Sequence, residues 1–212
     1  MDIQEKTQLL KSFALFKGLS KKELNSITKY FEYKSLSKNT HLIKEGSIEN
    51  EMYFIISGLV RIYHLHENGK EMTIAMRMPG EVIGEMSVIE GLPRSASAQT
   101  LQETTVLTLT KKNFLKLFQS YPSISLNFLE MLSHRLRDEL HLKKIISFQT
   151  LEDRAYHILK TLSTHFPKTG IPLSHEQLSI LINATQPRVT EALHTLEKSK
   201  KISIARKKIQ VH

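Results

Sequence analysis

The chain of 212 residues contains no cysteine. This absence excludes disulfide bonds, thiolate nucleophiles and metal or iron–sulfur sites with cysteine ligands, and it fits the reducing cytoplasm. Long apolar runs are also missing, because none approaches the length needed to span a bilayer. The first residues, Met1-Asp2-Ile3-Gln4-Glu5, form neither the basic patch nor the apolar stretch of a secretion signal. We therefore expect a cytoplasmic protein that does not bind a membrane.

Motifs typical of an enzyme or a metal site are absent as well. Serine, histidine and aspartate occur without the spacing of a nucleophile motif, so we predict no catalytic residue. His64 and His66 share one face of a predicted strand, but acidic neighbours are few. We interpret them as surface histidines and expect no metal, no haem and no iron–sulfur cluster. His134 and His141, on a predicted long helix, could respond to pH, although no other feature of the sequence requires this.

The formal charge of +9 is distributed unevenly along the chain. Leu151 to His212 carries ten Lys/Arg against five Asp/Glu, whereas the first 150 residues carry twenty against sixteen. A phosphate backbone is the commonest partner of such a basic segment. The alternative is a solvated basic face with no partner.

Apolar side chains at helical spacing predict helices over the first thirty residues, as far as Tyr30 and Phe31. Gly18-Leu19-Ser20 interrupts this pattern. Ser20 is placed to cap the second helix, with Glu23 three residues later as its capping-box partner.

From about Tyr33 to Thr110 the pattern is that of strands. Short runs of β-branched and aromatic residues alternate with glycine turns, and Asn68-Gly69 is a strong hairpin signal because a type I′ turn needs positive φ. Many short strands at near-regular spacing predict a closed or rolled antiparallel structure. The predicted strands are His41–Ile43, Tyr53–Ile56, Val60–His64, Met72–Met76, Val82–Ile83, Ala96–Gln99 and Thr105–Leu109.

After the break at Tyr121-Pro122, a long helix is predicted from Ser123 to about Phe148, a stretch without glycine or proline. Its apolar stripe must be buried, and we expect the same helix of a second copy to cover most of it, with the β structure covering the rest. Because Glu139 and Lys143 are polar, we expect this contact between the two helices to be less tightly packed than a leucine zipper. The predicted dimer-interface residues are Leu129, Leu132, Leu136, Leu140 and Ile146.

The C-terminal segment predicts a helix (Arg154 to Leu162), a loop and then a helix-turn-helix. Ser174 can cap the first helix of the motif with Gln177 as partner, and Thr185 can cap the second. Asn183 suits the sharp turn between them, and Pro187 falls where a missing N–H costs little. The residues expected to face inward are Leu178, Leu181 and Ile182 on the first helix and Val189, Ala192, Leu193 and Leu196 on the second.

The outer face of the second helix carries Gln186, Arg188 and Glu191, whose side chains suit adenine, guanine and cytosine edges in a major groove. Two alternating strands joined by Ala205-Arg206-Lys207-Lys208 predict a hairpin wing with a basic tip for phosphate. An ordinary helical hairpin with a basic tail is the alternative. The predicted DNA-binding residues are Ser174, His175, Thr185, Gln186, Pro187, Arg188, Glu191 and Lys207.

A second motif occupies Gly80 to Ala96. Gly84 allows close backbone approach, and the short turn beginning at Glu85 directs free N–H groups towards one point, as an anion site requires. Arg94 offers a planar fork for a phosphate and Ser95 a hydroxyl, while Glu85 can accept a hydrogen bond from a ribose hydroxyl. A structural Glu85–Arg94 ion pair is the alternative interpretation.

This segment resembles the phosphate-binding cassette of cyclic-nucleotide-binding domains. The order of β-roll, long helix and winged helix-turn-helix resembles the cyclic AMP receptor protein/fumarate-nitrate regulator (CRP/FNR) superfamily over nearly the whole chain, from Leu15-Phe16-Lys17-Gly18-Leu19-Ser20 to the terminal hairpin. The resemblance implies an α+β chain with an N-terminal antiparallel β-roll. Its expected parts are a sensor domain over 1–121, a dimerisation helix and hinge over 122–149, and a winged helix-turn-helix over 150–212.

The resemblance also implies roles for individual residues. Glu85 would bind the ribose 2′-OH, Arg94 and Ser95 the cyclic phosphate, and Gly84 and Met86 would line the pocket. Arg135 matches an arginine near the purine. Glu139-Leu140 stands where cyclic AMP receptors have a Thr-Ser pair, so the base that Glu139 would contact is left open. Gln186, Pro187 and Glu191 replace the receptor's Arg, Glu and Arg, so we expect a different target sequence.

We therefore predict a homodimeric regulator that binds pseudo-palindromic double-stranded DNA, contacts RNA polymerase and responds to a cyclic nucleotide, with cyclic AMP favoured. Two alternatives stay open. One is a ligand-independent regulator with a vestigial cassette, and the other is a nucleotide sensor that acts on a protein partner.

Overall fold

The computed structural model describes residues 2–66, 69, 71–148, 150–164, 166, 170–171, 173–182, 184–205 and 208–212, with side chains except those of 142–148 and 180. The chain forms two compact units, residues 1–135 and 136–212, and the boundary between them falls inside the helix Pro122–Phe148. The three-part division by function stays a prediction.

The N-terminal unit begins with two capped helices and continues into eight strands. Asp2 and Ser20 each form a capping box, with Glu5 and Glu23 as partners, so the predicted Ser20–Glu23 box is confirmed. The elements are α1 (Ile3–Lys11), α2 (Lys21–Ile27), β1 (Phe31–Leu36), β2 (His41–Ile43), β3 (Glu51–Ser57), β4 (Val60–Leu65), β5 (Glu71–Arg77), β6 (Val82–Ile83), α3 (Glu85–Glu90), β7 (Ser97–Thr100), β8 (Thr104–Thr110), α4 (Lys111–Ser120) and α5 (Pro122–Phe148).

The strands form two four-stranded antiparallel sheets, in the orders β1-β8-β3-β6 and β2-β7-β4-β5. Side chains of β3 alternate between two cores, as the period of a strand dictates. Met52 and Phe54 pack among the helices, while Tyr53 and Ile55 point into the roll between the sheets. The predicted α+β fold with an antiparallel β-roll is confirmed.

One boundary prediction is wrong, because Phe31 begins β1 and does not end a helix. It pairs with Leu109 of β8, and its ring packs edge-on against Phe16 and Phe54 at centroid distances of 5.6 and 5.4 Å. This long-range aromatic packing outweighs the local helical spacing that continues from Tyr30. The predicted hairpin turn at Asn68-Gly69 lies partly outside the described residues.

The C-terminal unit holds three helices and a hairpin beyond the end of α5. Thr150 caps the first of them by accepting from the Asp153 N–H. The predicted inward-facing residues of the last helix, Val189, Ala192, Leu193 and Leu196, are all buried. The elements are α6 (Leu151–Ser163), α7 (His175–Ile182), α8 (Gln186–Lys198), β9 (Ile202–Ala205) and β10 (Lys208–Val211).

Candidate functional site

The cassette is the segment between β6 and β7, and two left-handed glycines delimit its short helix. Gly84 (φ 78°) precedes α3 and Gly91 (φ 73°) ends it, a conformation that side chains with a Cβ adopt only with strain. This turn brings the Gly84 carbonyl and the Ser87 hydroxyl to the same place as Arg94. The chain of the cassette therefore folds around a single guanidinium.

Arg94 is almost completely buried, with 3% of its surface exposed. Its Nη1 donates to the Gly84 carbonyl (2.7 Å) and to Ser87 Oγ (2.8 Å). Its Nη2 donates to the Glu51 carbonyl (2.5 Å) and to the Glu49 carboxylate (3.3 Å). Protein acceptors therefore hold both terminal nitrogens of Arg94 in this structure, and its role as a phosphate fork stays a prediction.

One donor of this guanidinium remains. Arginine carries five N–H groups, and the Nε of Arg94 is buried without a hydrogen-bond partner in the described part of the chain. A buried donor in this state costs free energy unless a ligand or water accepts from it. An anionic oxygen can therefore accept from this Nε–H once the side chains that bury it move aside.

Glu85 pairs with a residue that is distant in sequence. Its carboxylate, 6% exposed as a residue, accepts from Arg135 Nη1 of α5 at 2.5 Å, and Arg135 Nη2 also donates to the Val82 carbonyl. The alternative of a Glu85–Arg94 ion pair is wrong, because the carboxylate beside Arg94 is that of Glu49. Arg135 consequently ties α5 to both β6 and α3.

The other predicted ligand residues are more accessible. Met86 and Ser95 are both exposed, and their side chains approach each other, with Ser95 Oγ 4.0 Å from Met86 Sδ. Glu139 lies on α5 in the C-terminal unit, and its side chain is exposed. Tyr53 was not predicted from the sequence. Burial raises its pKa to about 12, with the carboxylates of Glu49 and Glu51 adding to the effect, so this phenol stays neutral beside the cassette.

A Gly84→Ala substitution tests how tightly the cassette closes on Arg94. A Cβ at Gly84 would lie 2.5 Å from Arg94 Nη1 and 3.2 Å from the Glu51 carbonyl. Four acceptors hold that guanidinium, so it cannot move away cheaply. We expect a loss of about 2–4 kcal/mol in the free energy of unfolding, measured by urea titration.

Gly80→Ala is the matched control. Gly80 also has positive φ (91°), but a Cβ there would meet nothing within 4 Å. Its cost should be the backbone strain alone, about 1 kcal/mol. Equal losses for the two variants would contradict a tight Gly84–Arg94 contact.

In the C-terminal unit, α7 and α8 form the predicted helix-turn-helix pair. Ser174 and Gln177 make the predicted reciprocal capping bonds of 2.9 and 3.1 Å at the start of α7. Thr185 occupies the N-cap position of α8, but its side chain makes no capping hydrogen bond, so this part of the prediction is wrong. The Thr185 hydroxyl is instead exposed.

The outer face of α8 is free of protein packing at its N-terminal end. Gln186, Pro187, Arg188 and Glu191 are all exposed. Sequence reasoning missed Thr190, whose hydroxyl lies 3.1 Å from His175 Nδ1 and joins α7 to α8. The signal available in the sequence was helical spacing, because Thr190 follows Gln186 by one turn and so lies on the same face of α8. An open groove runs along that face. The groove is lined by Gln186, Pro187, Thr190, Glu191, His194, Thr195 and Lys198.

The predicted wing is present as the antiparallel pair β9 and β10, with Ile202 opposite Val211. Ile171 adds a bridge to Ile209, which fixes the hairpin to the chain that precedes α7. Lys208 is exposed at the start of β10, whereas the predicted contact Lys207 lies outside the described residues.

The predicted dimer stripe on α5 is largely uncovered. Leu129, Leu136 and Leu140 expose 61%, 62% and 59% of their surface. Leu132 differs, since it is half-buried against the helical core of the N-terminal unit. The Ile146 side chain lies outside the described ones.

Within the described ranges, no three His, Asp or Glu side chains are grouped as a metal site would need. His64 instead contacts the Glu45 carboxylate at 3.1 Å. None of the helices described combines the length and apolar character of a membrane span.

The chain is similar to known proteins along most of its length. Residues 33–121 match the cyclic nucleotide-binding domain family. A cyclic AMP receptor protein of Thermus thermophilus is 30% identical over 188 residues, which cover 88% of this chain and 87% of that protein. A CRP-like cAMP-activated global transcriptional regulator of Mycobacterium tuberculosis is 24% identical over 193 residues, 88% of this chain and 86% of the relative.

Solved structures agree in fold. The Thermus thermophilus catabolite activator protein has a TM-score of 0.56 at 27% identity, covering 94% of this chain and 93% of its own. FixK2 from Bradyrhizobium japonicum has a TM-score of 0.76 at 19% identity, covering 86% and 92%. The Mycobacterium tuberculosis relative is a transcriptional regulator and a relative from Synechocystis sp. is a global nitrogen regulator, and neither is named as an enzyme.

Proposed function

Because this chain belongs to the CRP/FNR family of transcription regulators, we propose that it binds DNA as a homodimer and that a cyclic nucleotide in the β-roll controls this binding. Cyclic AMP is the favoured effector, since the relatives from Thermus thermophilus and Mycobacterium tuberculosis carry it in their names. The chain has no cysteine to hold an iron–sulfur cluster.

The observation that carries the ligand part of the proposal is the unpaired Nε–H of buried Arg94. The guanidinium is held in place before any ligand arrives, and its buried Nε–H becomes accessible to a cyclic phosphate only when the side chains around it move aside. Ser95 would add a hydroxyl from the exposed side of the cassette. A charged hydrogen bond of this kind contributes about 1.5–3 kcal/mol.

Glu85 is the proposed acceptor for the ribose 2′-OH. One carboxylate oxygen accepts from Arg135, and the carboxylate has further lone pairs for a hydroxyl donor. Any rearrangement of Glu85 on ligand binding would act directly on Arg135, and therefore on α5. We propose this ion pair as the route by which the ligand alters the helix that carries the dimer stripe.

The DNA part of the proposal rests on the exposed N-terminal face of α8. In a helix-turn-helix dimer the two recognition helices meet successive major grooves about 34 Å apart, which requires a pseudo-palindromic site. Gln186, Arg188 and Glu191 are the proposed base contacts, while Ser174, His175, Thr185 and Lys207 are proposed to position the motif on the backbone. RNA polymerase is the proposed protein partner.

Arg188→Ala is expected to weaken binding to the specific DNA site about 10- to 100-fold, since a bidentate arginine–guanine contact is worth about 1–3 kcal/mol. Fluorescence anisotropy with a selected site and with scrambled DNA, at fixed salt and with cyclic AMP present, measures the effect. Lys112→Ala on α4 removes the same charge from the other unit and should change neither affinity.

Three results would speak against the proposal. Equal losses on specific and scrambled DNA would remove Arg188 from base recognition. Selected sites without half-site symmetry would contradict a dimeric reader. Unchanged regulation in cells with Arg188→Ala would favour a nucleotide sensor that acts on a protein partner.

A further inference from the structure

Two histidines meet where the end of the long helix approaches the next one. His141 of α5 and His157 of α6 have ring centroids 5.2 Å apart and ring planes tilted by 57°. Both residues belong to the C-terminal unit. The sequence analysis noted His141 alone, because nothing in the sequence shows that the two rings are neighbours.

The surroundings of this pair disfavour a second positive charge. Burial lowers the pKa of His157, and His141 and Lys160 lower it further. Asp153, one turn earlier on α6, is engaged at the helix cap, where its carboxylate accepts from the Thr150 hydroxyl. No ion pair joins a carboxylate to either imidazole among the described side chains.

We propose that the His141–His157 pair is a proton-sensitive contact that holds the end of α5 against α6 at neutral pH and loosens it in acid. Two neutral rings, or one neutral and one charged, pack together without repulsion. Two imidazolium rings about 5 Å apart repel each other, and the half-buried ring of His157 also loses hydration when it is charged. The proposal is independent of the ligand site, and only its effect on DNA binding rests on the proposed function.

The direction of the pH effect follows from the lowered pKa of His157. The unfolded chain binds a proton at this residue near pH 6.5, whereas the folded protein does so only at lower pH. The contribution of His157 to the free energy of unfolding is therefore fully present above pH 6.5, and it is lost progressively as the pH falls below that value.

Proton NMR titration of the histidine ring signals tests the contact directly, in buffers with EDTA so that no metal ion can bridge the rings. In His141→Gln, the pKa of His157 should rise towards its ordinary value. In the control His134→Gln, which removes another histidine of α5, it should not change. A titration of His157 that is the same in wild type and His141→Gln would overturn the proposal.

Thermal unfolding supplies a second readout. The loss of Tm between pH 7.5 and 5.5 should be roughly 1–3 °C smaller in His141→Gln than in wild type. His157→Gln should reduce the loss at least as much, because it also removes the burial of that imidazole, and the double variant should do no more than His157→Gln, because the repulsion needs both rings. Additive effects would overturn the proposal.

DNA affinity at the two pH values then separates this inference from the proposed function. Specific binding that falls at pH 5.5 in wild type, but less in His141→Gln, supports the switch. Specific binding with the same pH dependence in both proteins overturns it while leaving the regulator assignment intact. Absence of specific binding at either pH would instead contradict the proposed function, and the titration would still decide whether the contact exists.

Discussion

Arg94→Ala is expected to lower the free energy of unfolding by about 2–4 kcal/mol, even without ligand. Arg94 is 3% exposed, and its removal would take a donor from the Glu51 carbonyl, from the Ser87 hydroxyl and from the Gly84 carbonyl, which also accepts from the Ser87 hydroxyl at 3.4 Å. Buried acceptors without partners cost about 1–3 kcal/mol each, and local relaxation and water recover part of that. Urea titration of wild type and variant measures the loss.

The same variant should lose its response to the effector. For wild type, cyclic nucleotide at a hundred times its Kd adds about 2.7 kcal/mol, which thermal unfolding with cyclic AMP and with cyclic GMP would detect. Because Arg94→Ala also damages the fold, Ser95→Ala is the matched variant. Ser95 is exposed, and its hydroxyl hydrogen-bonds only to Met86 Sδ, at 4.0 Å, among the described residues, so the substitution should leave stability unchanged and weaken ligand binding alone.

The outcomes separate the open alternatives. A shift in wild type that is abolished in Arg94→Ala and reduced in Ser95→Ala supports nucleotide control. No shift with either nucleotide would favour a ligand-independent regulator in which Arg94 is purely structural. A shift retained in Arg94→Ala would place the ligand elsewhere.

The second large effect is expected from the leucine stripe. Replacing Leu136 and Leu140 together by glutamate should convert the dimer to a monomer, because two charges per chain would be buried at the seam without partners. Each leucine is about 60% exposed in the single chain, so the monomer itself should stay folded. Specific DNA affinity should fall at least about 1,000-fold, because the two recognition helices then no longer bind the two half-sites as parts of one molecule.

Sedimentation equilibrium and anisotropy with the palindromic site measure both parts. Leu115→Glu on α4 is the control, since Leu115 is also exposed, at 46%, but lies outside the stripe. A double variant that stays dimeric would remove the stripe from the interface. A monomer that keeps full affinity would contradict the two-helix mode of binding.

Local signals in the sequence predicted much of this fold. Alternation and glycine turns located strands such as β2 and β6 to the residue, and the caps at Ser20 and Ser174 follow from side-chain chemistry three residues apart. Such features depend on neighbours along the chain, so the sequence contains what is needed to predict them.

The partners of the charged groups could not be predicted in this way. Arg94 finds Glu49 and the Glu51 carbonyl across the roll, and Glu85 finds Arg135 on α5. The choice between these pairings and a Glu85–Arg94 pair depends on how the loops are brought together by the sheets. Spacing within the cassette carries no information about that, and the same holds for Phe31 and its register with Leu109.

The pairing of β1 with β8 has a consequence for the synthesis of the protein. These strands stand at the two ends of the roll in sequence and lie side by side in one sheet. A ribosome must therefore release almost the entire β-roll before its first strand can pair with its neighbour, and contacts between such distant segments form slowly. The contacts of the C-terminal unit span shorter separations, although α6 packs against α8 and against β10 at the end of the chain. Until β8 has been synthesised, the edges of β1 and β3 that pair with it stay open, and during that interval the nascent chain is most prone to aggregation.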